Sequence, residues 1–483
     1  VGSETVTLKV DKDIDQASLT NAAAVVSQPT IVGGGQSLFD ITGLVVTDSD
    51  NQGGDYTVTL QVAGGLMNID SAVSGGLTAG DITGDGTDTI VLTGSLSAIN
   101  ATLAGSGALQ YDLNGQVGAS DNLTITIVDD GGINGFPRTV TDTQAVIFDY
   151  IDNTANVVTN PEFGDGTYWS EAVAPTSVHR AIIPGGTGAI HLDTGTYTVG
   201  QMEVGNAFSL NGGSLTINDD ADLTGSGYYQ LLGGNLIVDG VMSGSTGRLY
   251  LSTGTLTGAG SIVVGQMFLN GASGTMTVSD IDITLQSGVS SVSNAGTKTI
   301  DGSAITVLGG FDFLAGQSGF SLDNAASITV ASGGTLGLQD NDGINAGIGG
   351  GSVNILAGAT LSRTITAGET DIDVPVNIDG TVYVQAGALV LAGGGTLAGV
   401  VSVASGAVLE LGGTDPFTID GSVNFSGAGT TLISADVTID SAASILAGHT
   451  FDIASGATVT INATAGTFDN SGVISGDGTL VLD

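Results

Sequence analysis

The feature that most limits what this chain can fold into is a short unit that returns at a near-fixed interval. Gly213-Ser214-Leu215-Thr216-Ile217-Asn218-Asp219 reappears as Gly234-Asn235-Leu236-Ile237-Val238-Asp239-Gly240, and again as Gly254-Thr255-Leu256-Thr257-Gly258. Far downstream, Gly406-Ala407-Val408-Leu409-Glu410-Leu411 and Gly456-Ala457-Thr458-Val459-Thr460-Ile461 repeat the pattern. An interval of about 20 residues is characteristic of stacked repeats. Each unit is strand-length, with apolar residues at alternate positions, and a lone strand of that kind has nothing against which to bury its inner face. Stacked on copies of itself, it does. The alternation assigns the faces. Leu215, Ile217, Leu236, Ile262, Leu409, Leu411, Val459 and Ile461 are expected to point inward, and Thr216, Asn218, Glu410, Thr458, Thr460 and Asn462 outward.

Composition agrees with an ordered all-β chain. Glycine is abundant, 80 of 483 residues, yet hydrophobic residues make up 41%, so there is a core to bury and disorder is excluded. Glycine does not fall at every third position, which excludes collagen. Turn formers alternate with Val, Ile, Leu and Thr, and a helical period is visible only near Leu96-Ser97-Ala98-Ile99-Asn100-Ala101-Thr102-Leu103. The formal charge is −41, from 48 acidic and 7 basic residues. That field opposes nucleic acid and anionic lipid, and most carboxylates must be solvated or bound to metal. There is no cysteine, so packing or a metal must do what disulfides would. No run of 18 apolar residues spans a membrane. The chain starts at Val1 and stops at Leu480-Val481-Leu482-Asp483, both in strand-like sequence. A longer polypeptide is therefore expected, with neighbouring modules of that chain as first partners and the solenoid continuing beyond 483.

The pieces fall in order. Residues 1–17 read as the end of a preceding module: Thr5-Val6-Thr7-Leu8-Lys9-Val10, then Asp11-Lys12-Asp13-Ile14-Asp15. A similar exit, Thr143-Gln144-Ala145-Val146-Ile147-Phe148 with Asp149-Tyr150-Ile151-Asp152-Asn153, closes the next. Between them, strands are expected at 38–47, 55–63, 87–93, 107–112 and 121–129, separated by turns as in an antiparallel sandwich. Residues 154–190 read as a linker and N-terminal cap, and 191–483 as a right-handed parallel β-helix (solenoid) of about 15 rungs, about 70 Å long at the strand spacing of a sheet. Trp169 is the only tryptophan and is expected to cover the open end of the stack.

Two stretches resemble known families. Leu44-Val45-Val46-Thr47-Asp48-Ser49-Asp50 resembles the opening of bacterial cadherin-like repeats, Asp85-Gly86-Thr87-Asp88-Thr89-Ile90 through Ala98-Ile99-Asn100 their middle, and Leu123-Thr124-Ile125-Thr126-Ile127-Val128-Asp129-Asp130-Gly131-Gly132 their closing strand. The match covers about 18–150 and implies an Ig/cadherin-like β-sandwich over 18–153. An insertion from Ile133 to Arg138 departs from it. Gly166-Thr167-Tyr168-Trp169 with Arg180-Ala181-Ile182-Ile183-Pro184-Gly185-Gly186 is similar to the segment that opens autotransporter/haemagglutinin-like β-solenoids. Such modules occur together in large bacterial surface adhesins.

Calcium is the cofactor these acidic ends point to. Asp48/Asp50 and Asp129/Asp130, with Asp13/Asp15 and Asp149/Asp152 at the module exits, supply hard oxygen ligands near domain ends. Calcium takes about 6–8 oxygens, which two ends together could provide. The cadherin-like resemblance implies that such an ion stiffens the linker. Solvated turn aspartates are the alternative. Asp81, Asp85 and Asp88 have a loose calcium-loop spacing without the terminal Glu of an EF-hand.

Catalysis is not expected. Parallel β-helices include polysaccharide lyases and hydrolases, so the fold permits an enzyme. Yet Arg180, Arg248, Lys298 and Arg363 are far apart in sequence, and His179, His191 and His449 read as isolated surface or turn residues. Gly347-Ile348-Gly349-Gly350-Gly351 has no following helix or lysine to make a phosphate loop. The expectation is a non-enzymatic structural and adhesive protein, secreted, at a cell surface or in an extracellular matrix. The alternative is a self-assembling filament or sheath subunit. Surface glycans or sister chains would be its further partners.

Overall fold

The computed structural model describes residues 18–26, 30–32, 36–47, 53–105, 107–112, 120–128, 139–147, 151–156, 161–177, 179–186, 188–225, 227–365, 368–462 and 466–483. The chain divides into two compact units, Val1–Ile151 and Asp152–Asp483.

The first unit holds two five-stranded antiparallel sheets. One contains Ser18–Val26, Gln36–Thr47, Leu109–Asp112 and Leu66–Ile69, with Thr30–Val32 on the side. The other runs Thr139–Ile147, Ser120–Val128, Asp55–Val62, Thr89–Ser95 and Ile82–Thr83. In the second, Val58 lies opposite Leu92 and Ile127, and Leu60 opposite Ile90 and Ile125, all buried. Alternation along three strands thus builds one apolar face. The helical period at Leu96 is a helix, Leu96–Ala104. Asn100 on it mimics a strand: its Oδ1 accepts from Val46 N at 2.8 Å, and its Nδ2 donates to Val46 O at 2.7 Å. Thr102, fully buried, donates to Ala98 O at 3.0 Å and accepts from Leu77 N at 2.7 Å.

The second unit is a parallel β-solenoid of about 14 turns. Each turn has three strands. The first face begins with His179–Ile183, Gln201–Val204 and Ala221–Leu223, the second with Ile190–Leu192, Ala207–Leu210 and Tyr228–Leu231, and the third with Thr196–Val199, Ser214–Ile217 and Asn235–Val238. Val241–Leu251 and Ser261–Leu269 run round the corner, so the first two faces join into one 28-stranded sheet. The third face comes in runs of eight and six strands, interrupted between Asn345–Ala346 and Glu369–Ile372. At ~4.8 Å per rung, the solenoid is about 65 Å long.

The expected register holds. Leu215, Leu236, Leu256, Val278 and Ile300 stack as one inward column on the third face, each no more than 1% exposed. Thr216 and Ile237 form the outward column beside it. Leu409, Leu411, Val459 and Ile461 are buried, and Glu410, Thr458, Thr460 and Asn462 are not. The glycine that opens each early unit has a specific cause. Gly195, Gly213, Gly234 and Gly254 stack at one corner with φ of 92°, 72°, 74° and 106°. A Cβ on Gly213 would stand 2.3 Å from Gly195 O, and one on Gly234 2.3 Å from Gly213 O. Those carbonyls accept the next strands' first N–H groups, from Ser214 at 2.8 Å and Asn235 at 2.9 Å. Only glycine allows both the left-handed turn and that approach.

The start of the stack is covered. Phe163 N donates to His191 O at 2.7 Å and His191 N to Pro161 O at 3.0 Å, so residues 161–163 pair with the first strand of the second face. Trp169, 2% exposed, donates Nε1–H to Phe163 O at 3.0 Å and packs edge-on against the Phe163 ring. Phe163 in turn contacts Tyr197 and Phe208, which ties this segment into the solenoid core.

Candidate functional site

The second face carries an aromatic strip on its outer side. The register sets two outward columns, one of Tyr228, Arg248 and Gln266, the other of His191, Ser209, Gln230, Tyr250 and Phe268. The residues between them, Phe208, Tyr229, Leu231, Leu249 and Leu251, are buried. Adjacent tyrosines therefore part ways: Tyr229 fills the core and Tyr228 faces out. Tyr228 meets Tyr250 edge-on at 5.4 Å, and Tyr250 stacks on Phe268 at 4.9 Å with 15° between planes.

Polar groups frame these rings. Ser209 Oγ donates to Gln230 Oε1 at 3.3 Å, Arg248 Nε to Gln266 Oε1 at 3.3 Å, and Gln266 Nε2 to Val289 O at 2.9 Å. Asn206, Tyr228, Gln230, Arg248 and Tyr250 line a shallow open depression of about 380 Å³. Ion pairs among the described residues join Arg180 to Asp152, and His191 to Glu162 and Asp193. Arg248, exposed, has no such carboxylate partner among them, in a chain of charge −41. Flat apolar rings beside amide and guanidinium donors suit a ligand with one apolar and one hydroxyl-rich side. The strip was legible in the sequence only as aromatics at outward parity in successive units.

A second cluster lies inside the solenoid. Lys298 occupies an inward position between Met276 and Phe320, 1% exposed, and its Nζ donates to Asn294 O and Gly296 O, both at 2.6 Å. Arg363 stands in the inward column between Leu338 and Val384, fully buried. It donates to Asp340 O at 2.8 Å, Gly368 O at 2.9 Å and Asn341 Oδ1 at 3.2 Å, and also to Thr370 Oγ1. Burial pushes the Asp340 carboxyl up to about 6, against hydrogen bonds from Gln317 and the Gly343 N–H. Burial lowers both Lys298 and Arg363, and the Asp340 charge opposes that in each. Lys298 and Arg363, far apart in sequence, each lie within electrostatic reach of Asp340. Lys298 and Arg363 donate to peptide carbonyls at the solenoid corners, which is internal bracing.

Of the expectation that the histidines are surface or turn residues, only the surface part is corrected: His179 and His449 each close a turn, His179 N donating to Thr176 O and His449 N to Leu446 O. His179 is buried, with Nδ1 accepting from Thr176 N at 3.0 Å, and burial pushes its imidazole down to about 4. His449 is fully buried against Thr431 Oγ1 at 3.0 Å, and burial lowers it as well. Neither is a surface residue. His191 faces Glu162 and Asp193.

Of the aspartates expected to bind calcium, Asp13, Asp15, Asp48, Asp50, Asp129, Asp130 and Asp149 lie outside the described residues. Asp152 lies within them, and both its oxygens accept from Arg180, at 2.8 and 2.9 Å. That carboxylate is the partner of Arg180. Asp81 accepts from Thr78 Oγ1 and N, at 2.7 and 2.9 Å, and these bonds hold its carboxyl below the ordinary value. Asp85 accepts from Ile69 N at 2.8 Å. Both close turns.

Comparison with known proteins finds no family model, no curated protein and no solved structure that matches the chain.

Proposed function

We propose that this chain is a non-enzymatic stiff segment of a large bacterial surface adhesin, and that the outward aromatic strip of its solenoid binds glycans. The observation that carries this reading is the run Tyr228–Tyr250–Phe268 on the outer side of the second face, framed by Gln230, Arg248 and Gln266. A pyranose ring has a face of C–H bonds that lies on an aromatic ring, and an equator of hydroxyls that amides and guanidinium bind. Absence of turnover is supported by the burial of Lys298, Asp340 and Arg363, each 2% exposed or less, where no polysaccharide reaches. The two antiparallel sheets of the first unit are read as a cadherin-like sandwich that serves as a spacer. The solenoid is read as right-handed, the hand that parallel crossovers take. An extracellular setting and calcium at the acidic module ends complete the reading.

The test is equilibrium binding of the full chain to soluble neutral polysaccharides by affinity electrophoresis. Tyr228→Ala and Tyr250→Ala should each weaken binding about tenfold, as expected for losing an aromatic platform worth about 1.4 kcal/mol. Tyr383→Ala, which removes a tyrosine elsewhere on the same face, should leave it unchanged. Equal losses from all three, or no retardation by any polysaccharide, would overturn the reading.

A further inference from the structure

Pro161–Phe163 runs beside the first strand of the second face, and this places three metal-binding side chains together at the start of the solenoid. Glu162 Oε2 lies 3.5 Å from His191 Nε2, and Asp193 Oδ2 lies 3.6 Å from the same nitrogen. The three ligand atoms all fall within 4.8 Å of one another. We propose that Glu162, His191 and Asp193 bind one divalent transition-metal ion of the zinc class, which pins the segment leading into the solenoid onto its first rung.

The distances favour a metal over direct pairing. A hydrogen bond from imidazole to carboxylate spans about 2.7–3.2 Å, shorter than either contact. Ligand atoms around a tetrahedral ion with bonds of about 2.0–2.1 Å lie about 3.3–3.4 Å apart, close to both. The carboxylates are also held in place by their other oxygens. Glu162 Oε1 accepts from Asp193 N at 3.1 Å, and Asp193 Oδ1 accepts from Asn211 Nδ2 at 2.7 Å. Each carboxylate is thereby turned so that its second oxygen faces His191 Nε2. Such outer hydrogen bonds orient the ligands of metal sites. The imidazole position is fixed by the backbone ladder on both sides, to Pro161 and Phe163 on one and Ser209 on the other. His191 Nδ1 is buried with no hydrogen-bond partner among the described residues, so the ring lacks the usual outer acceptor. That absence predicts micromolar affinity, weaker than a fully supported site. The side chains of Glu162, His191 and Asp193 are 33%, 16% and 53% exposed, so an ion can enter from solvent. One nitrogen and two carboxylates select zinc, cobalt or nickel over calcium, which takes oxygen only.

The inference does not depend on glycan binding. The consequence of the ion is mechanical. It joins residue 162 to residues 191 and 193 across the end of the stack, where strand pairing alone would fray.

The test uses the full chain, stripped with chelator and kept in millimolar Mg²⁺ to occupy the diffuse sites that a charge of −41 creates. Zn²⁺ is then titrated by calorimetry, and Co²⁺ by visible absorption, which intensifies in four-coordinate geometry. One equivalent of Zn²⁺ should bind, and amide exchange at 161–163 and 190–193 should slow at least tenfold. Asp193→Asn, a change of equal size at an exposed side chain, and His191→Gln should each lower Zn²⁺ affinity at least tenfold. Asn211→Ala, a positioning change, should lower it by a similar factor while Co²⁺ still binds in four-coordinate form. Zn²⁺ binding that is equal in wild type and Asp193→Asn, absent from wild type, or matched by Ca²⁺ would overturn the proposal.

Discussion

Replacing Leu236 by Asp places a carboxyl in the inward column between Leu215 and Leu256, where the native side chain is 1% exposed. The change removes about 1.5–3 kcal/mol of apolar burial. The new carboxyl finds only leucine above and below, so it folds in as the neutral acid, with its donor and acceptors unpaired, at a further cost of about 1–3 kcal/mol. Together the cost is about 3–6 kcal/mol. A solenoid is stabilised rung by rung, so the loss falls on the neighbouring turns rather than on the whole stack. Hydrogen exchange reads that directly. Amides of Ser214–Ile217, Asn235–Val238 and Gly254–Thr257 should exchange at least about a hundredfold faster, since 1.4 kcal/mol is tenfold. The rungs beyond Glu369 should keep their rates. Thr216→Asp, one residue off the inward column, should change exchange by less than about threefold, the size of an ordinary surface substitution. If both variants damage the fold equally, the register is wrong, because a slip of one residue exchanges the faces.

Three further outcomes follow from the buried polar groups and the acidic ends. His179 titrates near 4 when folded and near 6.5 when unfolded, so the folded chain binds fewer protons between those values. Its contribution is therefore present above about pH 6.5 and lost as pH falls toward 4, by at most about 3 kcal/mol, and urea unfolding of wild type and His179→Gln at pH 7 and pH 4 should show that difference shrinking. Arg363→Met should cost about 1–3 kcal/mol and speed exchange in Glu369–Ile372, because Asp340 O, Gly368 O and Asn341 Oδ1 each lose one buried charge-assisted donor; Arg363→Lys should not restore it, since one ammonium cannot reach every acceptor that the planar fork does. If calcium stiffens the module ends, chelator should raise proteolysis at 149–153 and leave 190–460 resistant; unchanged cutting would remove the ion from the account.

The solenoid was legible because its cause is local. Leu215-Thr216-Ile217 and Leu236-Ile237-Val238 carry the alternation and the spacing, and stacking them requires nothing else. The same holds for the helix at Leu96, whose first turn is capped by Ser95. What the sequence hid were meetings between rungs. Lys298, Asp340 and Arg363 look remote along the chain, yet the winding carries Lys298 and Arg363, from different faces, within reach of Asp340, and the repeat varies: Met202 pairs with Ala221 after 19 residues, and Ile328 with Val353 after 25. That drift in repeat length conceals which positions align. Glu162, His191 and Asp193 meet because residues 161–163 pair with a strand nearly 30 residues on, and no periodicity announces that pairing. The burial of His179 and His449 at their turns was not legible because burial inside a solenoid corner depends on the neighbouring rung. His449 packs on Thr431, a polar residue that itself occupies an inward position.

Hydroxyl-radical footprinting of the full chain, with and without a saturating neutral polysaccharide, tests the proposed role most directly, since it reads side-chain exposure at each aromatic residue. The account predicts that Tyr228, Tyr250 and Phe268 become protected while Tyr383 keeps its reactivity. Protection elsewhere with the Tyr228–Phe268 strip still reactive, or equal protection of Tyr383, would contradict it.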